Sequence, residues 1–427
     1  MDTLTLQERA AQISQTATAL ADALAQTGHP QPTFEHGIPA HLHGDAPESA
    51  ARDLKQQLFA KVDELRALLT DPVATLVPEM RLPTLSVNPI VRLVIAENFP
   101  ENGTTVSDLA QALNLNETLV RRLLAHAATH HIFYESKPDF FIHTAASRVL
   151  SENKGMRDWV RVGAEEVFPG AFKIGEALIQ FPNSEETEHC GWSLANNTDQ
   201  GCFQALATQP ERAARIATTM NWQMQHAGFS PSYLAEAFPW PNEDSTDFTI
   251  VDVGGSLGHI SHALATSTSH PAASQAKFII QDMPAIIVHS KAALPGNLKD
   301  RFSFQEHDFF TPQPVHGADV YLLRSVLHDW SDKYAAKILQ ALIPGLKSGA
   351  KVVINERIIP AFHEEHYLVE RQSRDFDMYM LGFSNARERT RRDWEAVISA
   401  ADERFQLTEV RQQKGSLLAV LEVTWLG

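Results

Sequence analysis

The feature that most constrains this chain lies in its C-terminal part, where short apolar runs alternate with helical segments. "DFTIVDVGG" is a buried strand ending in glycines, and "SLGHISHALA" continues as a helix. "AKFIIQDMP", "FSFQEHDFF", "ADVYLL" and "AKVVINERIIP" supply four further strands, separated by helical segments such as Asp332 to Leu346. Such alternation predicts an α/β fold built on a parallel sheet covered on both faces. The end of the chain differs. "FQLTEVRQQ" and "SLLAVLEVTW" are two strands joined by a short turn around Lys414 and Gly415, and a hairpin is an antiparallel pair. The expectation is a Rossmann-like, seven-stranded sheet with an antiparallel terminal hairpin, an ending unusual among dinucleotide enzymes.

The N-terminal half reads as helical. Residues 5–27 form a helix with alanines and leucines on one face, followed by a loop rich in Pro, Gly and His. His36, His41 and His43 in that loop lack a carboxylate or cysteine at supportive spacing, so no metal is expected there. Residues 51–70 have the apolar spacing of an amphipathic helix. "TTVSDLAQALNLNETLVRRLLAHAATHHIFYES" then gives a helix, a turn around Asn114 to Asn116, and a second helix, with "HIFYESKPDFFIHT" as a hairpin. This is a winged-helix pattern. A DNA reader would carry a basic stripe, whereas the second helix offers only Arg121 and Arg122 in a chain of net charge −16. A structural or dimerising role fits better. Residues 155–240 read as helical throughout and aromatic-rich, with most rings expected in the core.

The charge balance repels nucleic acid and anionic membrane surfaces and suits neutral or cationic ligands. Two cysteines, Cys190 and Cys202, make neither a disulfide framework nor a cysteine metal cluster. No secretion signal and no apolar run of membrane-spanning length is seen, so a cytoplasmic setting is the default expectation.

Asp252, Gly254, Gly255 and Gly258 lie where the first strand meets the first helix, a place where backbone approaches a ligand closely. Ser256 takes the place of the second glycine in the dinucleotide fingerprint, so the loop does not match it. Asp282 ends the next strand, placed to accept hydrogen bonds from ribose hydroxyls, and Asp308 follows the third, placed for an adenine amino group. Acids after three successive strands suit a nucleoside carrying positive charge, where a pyrophosphate would want bare amides and cations.

In this order, "IVDVGGSLGHISHAL", "QDMP", "HDFF", "LLRSVLHDWSD", "VINERIIP" and "NARERTRRDWE" resemble S-adenosylmethionine-dependent O-methyltransferases of the plant caffeic acid/flavonoid type. The fungal secondary-metabolism relatives look closest. The resemblance spans residues 55–427 and implies a class I methyltransferase domain preceded by a winged-helix dimerisation domain, in a homodimer. It implies S-adenosyl-L-methionine as cofactor, held at Gly254, Gly255, Asp282, Asp308, Phe309 and Arg324. It places a catalytic base on His328, flanking acids on Glu356 and Glu388, and substrate-lining positions on Met220 and Met224. The domain expectation is an extension over 1–50, a winged-helix domain over 51–150, a helical substrate region over 151–243 and the catalytic domain over 244–427.

The expected reaction moves a methyl group to a hydroxyl, phenolic by expectation, of a small aromatic or polyketide-type metabolite. One carboxylate on the second nitrogen of His328 would fix its tautomer, while Asp329 and Trp330 would cap and pack the following helix. The rival on the same fold is a pericyclase-like catalyst that binds the cofactor without transferring methyl. Such a protein would be expected to lose the histidine or its glutamates, and this chain keeps all three.

Overall fold

The structure, a computed structural model, describes residues 4–33, 50–76, 82–224, 227–241, 248–268, 270–362, 364–365 and 367–427. His36, His41 and His43 lie outside the described residues. The chain divides into two compact units, Met1–Glu166 with Pro210–Gln223, and Val167–Gln209 with Met224–Gly427. No helix among the described residues is long and apolar enough to cross a membrane.

In the first unit, helix Leu6–Gln26 starts at a capping box, with the Glu8 amide on Thr5 Oγ1 and the Thr5 amide on the Glu8 carboxylate. It packs along helix Ala50–Leu69. The winged helix follows as β1 (Thr104–Thr105), helices Val106–Leu113 and Glu117–Thr129, β2 (Phe133–Lys137) and β3 (Phe140–His143), in sheet order β1-β3-β2. Asn114 makes the turn in the left-handed region at φ 52°, and Asn116 caps the second helix by accepting from the Leu119 amide. Ile90, Ile95, Val120, Leu124 and Ala127 are fully buried beneath it. Arg121, one of the two arginines on that helix, pairs with Glu117 and Asp139. Ion pairs, and ring packing between Trp159 and Trp222, tie residues 210–223 to this unit. Gly163–Val167 is a π-helical turn whose Glu166 is buried against the Arg212 guanidinium, while Glu165 takes Arg161 and Arg215.

The second unit contains the seven-stranded sheet. Its strands are β4 (Thr249–Val253), β5 (Lys277–Asp282), β6 (Phe302–Glu306), β7 (Val320–Arg324), β8 (Lys351–Glu356), β11 (Phe405–Arg411) and β12 (Ala419–Trp425). A separate two-stranded parallel ladder joins β9 (Ile358–Ile359) to β10 (Arg389–Thr390). The sheet order is β11-β12-β8-β7-β4-β5-β6, with β12 antiparallel to β8 and β11 and the other pairs parallel. The predicted α/β class and terminal hairpin are both present. The chain winds outward from β4 through β5 to β6, then returns to β7 on the other side of β4. That reversal opens a crevice at the carboxyl ends of β4 and β7, where ligands of open α/β sheets bind.

The segment read as helical throughout is interrupted. Helices Ile174–Gln180 and Gly191–Asn196 are separated by ten residues without helix, where Phe181 stacks on His189 at 4.0 Å. Trp192 is fully buried, but Phe172 is 79% exposed, so the aromatic residues are not uniformly core. Three glycines allow the crossing beneath Trp192. A Cβ on Gly191 would overlap the Gly170 carbonyl, and one on Gly170 would come within 2.8 Å of the Gly382 carbonyl.

Candidate active site

The first half of the crevice is made by the ends of β4, β5 and β6. Gly254 (φ 72°) and Gly258 (φ 77°) need backbone that a side chain resists, and Ser256 joins them at φ 50°. The amides of Gly254 and Gly255 donate to the Gln281 carbonyl, which folds the loop onto β5. A Cβ on Gly254 would lie 3.0 Å from Val326 and 3.8 Å from the Phe309 ring. The space left by the missing side chain is thus bounded by the strand ends on both sides. Asp252 is buried beneath the loop and accepts from the Ser261 hydroxyl at 2.6 Å; burial pushes its pKa up to about 6. Asp282 accepts from the Ser256 amide at 2.9 Å and the Met283 amide at 2.7 Å, and burial raises its pKa. Asp308 caps its own turn through the Phe310 amide, while Phe309 packs edge-on against Phe310 and Trp330.

These residues fit the expected cofactor. A cradle with no side chain, an aromatic face at Phe309 and carboxylates at Asp252, Asp282 and Asp308 suit a cationic nucleoside with hydroxyl and amino donors. Arg324, expected beside the cofactor, also has protein partners, while its Nε is buried without one. Its guanidinium donates to Asn355 Oδ1 at 2.6 Å and to the Phe229 carbonyl at 2.7 Å, with Met224 Sδ 3.8 Å away. Burial lowers its pKa to about 10, against the pull of Glu356 and Asp252. The side chain ties β7 to β8 and to the turn Ala227–Phe229. Met224 is therefore beside this crevice, while Met220 belongs to the first unit and is 43% exposed.

The second half carries the histidine. After β7, Ser325 turns the chain at φ 51° into a single 3₁₀ turn, Leu327–Asp329. His328 Nδ1 lies 2.9 Å from Glu388 Oε1, a carboxylate with no exposed side-chain surface. Because a carboxylate accepts, Nδ1 carries the hydrogen and Nε2 holds the lone pair of the neutral ring. Glu356 acts on the imidazole through its charge, and its hydrogen bonds go to the backbone of the turn. Its Oε1 accepts the backbone amides of Val326 and Leu327 at 2.8 Å and of His328 at 3.4 Å, so it holds the turn rather than the ring.

Asp329 is also placed differently from the sequence reading. The position before helix Asp332–Leu342 is Ser331, and the Asp329 carboxylate instead lies 3.6 Å from His328 Nε2. Burial alone would lower the His328 pKa, but Asp329, Glu356 and Glu388 outweigh it and push the pKa up to about 10. Burial correspondingly pushes Glu356 up to about 7 and Asp329 up to about 6, with the imidazole pulling both back. Phe376, from helix Tyr367–Ser384, lies nearly parallel to the imidazole at 6.1 Å. The sequence reading missed Asn355, Phe376 and the Nε2-facing role of Asp329. Adjacency to His328 was the only signal for Asp329, and the other two had none.

A doubly wound sheet with a terminal hairpin, a glycine-lined crevice and a buried carboxylate–imidazole pair suit a methyltransferase. Residues 242–403 match the O-methyltransferase domain family. The grayanic acid biosynthesis cluster O-methyltransferase of Cladonia grayi is 38% identical over 95% of this chain and 84% of that protein. The chlorophenol O-methyltransferase of Trichoderma longibrachiatum is 32% identical, over 88% of this chain and 80% of its own. Among solved structures, OxaC in complex with SAH and oxaline superposes with TM-score 0.75 at 19% identity, over 98% of this chain and all of that one. A structure described as a pericyclic reaction enzyme gives TM-score 0.73 at 22% identity, over 97% of this chain and 99% of that one. At these identities the two structures share the fold alone. The chain belongs to the S-adenosylmethionine-dependent O-methyltransferase family, in its fungal secondary-metabolism branch.

Proposed function

We propose that His328 is the general base of methyl transfer to a phenolic hydroxyl. The observation that carries this reading is the imidazole held at Nδ1 by the buried carboxylate of Glu388. The surrounding carboxylates raise the ring's pKa to about 10. The positive charge of a bound sulfonium would lower it again, so that the neutral ring offers Nε2 to the acceptor's proton. A phenol has a pKa of about 10 and attacks poorly at pH 7 unless a base takes its proton. As the acceptor oxygen forms its bond to carbon, its proton passes to Nε2. Glu388 fixes the tautomer and stabilises the imidazolium, and Asp329 lies beside the nitrogen where that charge appears. Glu356 holds the turn in register. When bound, the cofactor would supply a methyl group on a sulfonium, with a neutral thioether as its leaving group. Gly254, Gly255, Asp282, Asp308, Phe309 and Arg324 would hold it, and Arg324 also ties together the strands of the crevice wall.

The chlorophenol specificity named for one relative and the biosynthetic cluster named for another support a phenolic or polyketide-type acceptor. Incubation with methyl-labelled S-adenosylmethionine and a panel of phenol, orcinol, 4-chlorophenol and methyl gallate tests this. A labelled aryl methyl ether supports it. A rearranged isomer formed only with cofactor present, and no methyl ether, would instead mark a pericyclase-like catalyst.

We also propose a homodimer formed through residues 51–150. Helix Ala50–Leu69 and the segment after it leave Leu69 66%, Val73 71% and Leu76 84% exposed, apolar side chains that a partner copy would cover. Light scattering should give twice the 47.4 kDa chain mass, and a monomer at micromolar concentration would contradict it. Both cysteines are free and buried, in keeping with work in the reducing cytoplasm.

A further inference from the structure

We propose that Arg389 is a positioning residue for methyl transfer, its guanidinium holding the carbonyl side of the turn that carries His328 while Glu356 holds the amide side. The proposal rests on the reading of His328 as the base. Arg389 begins β10 and its side chain is fully buried. Nη1 donates to the Leu327 carbonyl at 2.9 Å, Nη2 to the Trp330 carbonyl at 2.8 Å and Nε to the Asp332 carboxylate at 2.8 Å. On its other side the same turn gives the amides of Val326, Leu327 and His328 to Glu356. One short turn thus has its donors and its acceptors taken by opposite buried charges.

The chemistry of the grip requires arginine. A planar guanidinium fork reaches two carbonyls and a carboxylate at once, whereas an ammonium on a flexible stem is a point charge. Burying such a charge is costly unless it is fully bonded, and Asp332 together with the Trp394 ring, 4.9 Å from the guanidinium carbon, offsets that cost. Helix Asp332–Leu342 has its own apolar anchors in Ala335, Ile338 and Leu339, so it does not need the guanidinium to dock. The neighbouring Glu388 takes His328 Nδ1. Consecutive residues therefore fix the ring and its backbone, and the β9–β10 ladder ties them to the strand end that supplies Glu356. A displacement of about 1 Å at such a base costs about 10²-fold in rate.

The test is a double-mutant cycle, using the fastest phenol of the panel above. Arg389→Lys is expected to lower kcat about 10²-fold while KM changes less than about threefold. In a His328→Gln background the same substitution should cost less than about twofold, because the group it positions is gone. An equal second loss in that background overturns the proposal and leaves the base reading standing. A His328→Gln enzyme at the wild-type rate overturns the base reading instead, and this proposal with it. Proton NMR of the His328 Nδ1–H, assigned by its loss in His328→Gln, needs no acceptor. It should shift in Arg389→Lys while other imidazole signals stay, and an unmoved resonance contradicts the proposal. If the lysine variant does not fold, Asp332→Asn removes the charged anchor of the guanidinium. It should show the same non-additivity with a loss of about three- to tenfold, and additive losses overturn the proposal.

Discussion

The two halves of the crevice are built by different means. At the ends of β4, β5 and β6, each strand runs straight into the residues it presents: a glycine loop, then Asp282, then Asp308 and Phe309. Their hydrogen bonds are mostly to backbone nearby, as with Asp282 on the Ser256 and Met283 amides and Asp308 on the Phe310 amide. At the ends of β7 and β8 the site is assembled from segments far apart in the chain. His328 is oriented by Glu388 and its turn is held by Glu356 and Arg389, through buried charge. The first half should tolerate loss of one contact by a graded loss of affinity. The second should fail as a unit.

Substitutions in each half break or sharpen that contrast. The largest effect is expected at His328. His328→Gln should lower turnover of a phenol about 10²–10⁴-fold at pH 7 with cofactor affinity nearly unchanged, measured by labelled methyl transfer and calorimetry. Glu388→Gln should follow, with a loss of about 10–10²-fold, because an amide can orient the ring but gives no charge to the imidazolium.

The same variant has a signed pH signature. The folded-state pKa of His328 is raised to about 10 from an ordinary 6.5, so its contribution to stability is fully present below 6.5 and is lost as pH rises through about 10. Glu388→Gln should therefore lower the His328 titration midpoint seen by NMR. The stability gap between wild type and variant, from urea unfolding, should be widest below pH 6.5 and close toward pH 10. A gap that widens with pH would contradict the assignment.

In the glycine-loop half, Asp282→Ala should weaken S-adenosylmethionine binding by about 1–3 kcal/mol, read by calorimetry, by leaving ligand hydroxyls unpaired. Turnover at saturating cofactor should change little. Asp308→Ala should have the smallest effect, since the Phe310 amide already takes one of its oxygens. A few-fold loss of cofactor affinity is expected. If Asp282→Ala instead abolished turnover at saturation, the contrast between a graded half and an all-or-none half would fall.

The contrast also explains what the sequence made legible. Strand alternation located every strand of the seven-stranded sheet, and the turn at Lys414 and Gly415 foretold the antiparallel edge. Asn114 and Asn116 marked the winged-helix turn because their side chains suit a left-handed residue and a cap. The glycine-loop half was legible for the same reason: its residues sit at strand ends. The histidine half was legible only in its members. Glu356 and Glu388 entered the reading as a pair around one ring, yet one holds backbone amides and the other the imidazole. Nothing in residue type or spacing distinguishes those jobs. Asp329 read as a helix cap because it precedes a helix, and only the 3₁₀ turn brings it to Nε2. The tie from Arg324 to the carbonyl of Phe229, far away in sequence, had no signal either.

The measurement that tests the central claim most directly is the ratio of wild-type to His328→Gln turnover across phenols of different acidity at one pH. A base matters most where the acceptor cannot ionise unaided, at phenol pKa values of about 10, and least where the phenolate is already present. The ratio should fall steadily toward unity as the acceptor pKa drops below the assay pH. A ratio that stays constant across the series would mean that His328 does not take the proton.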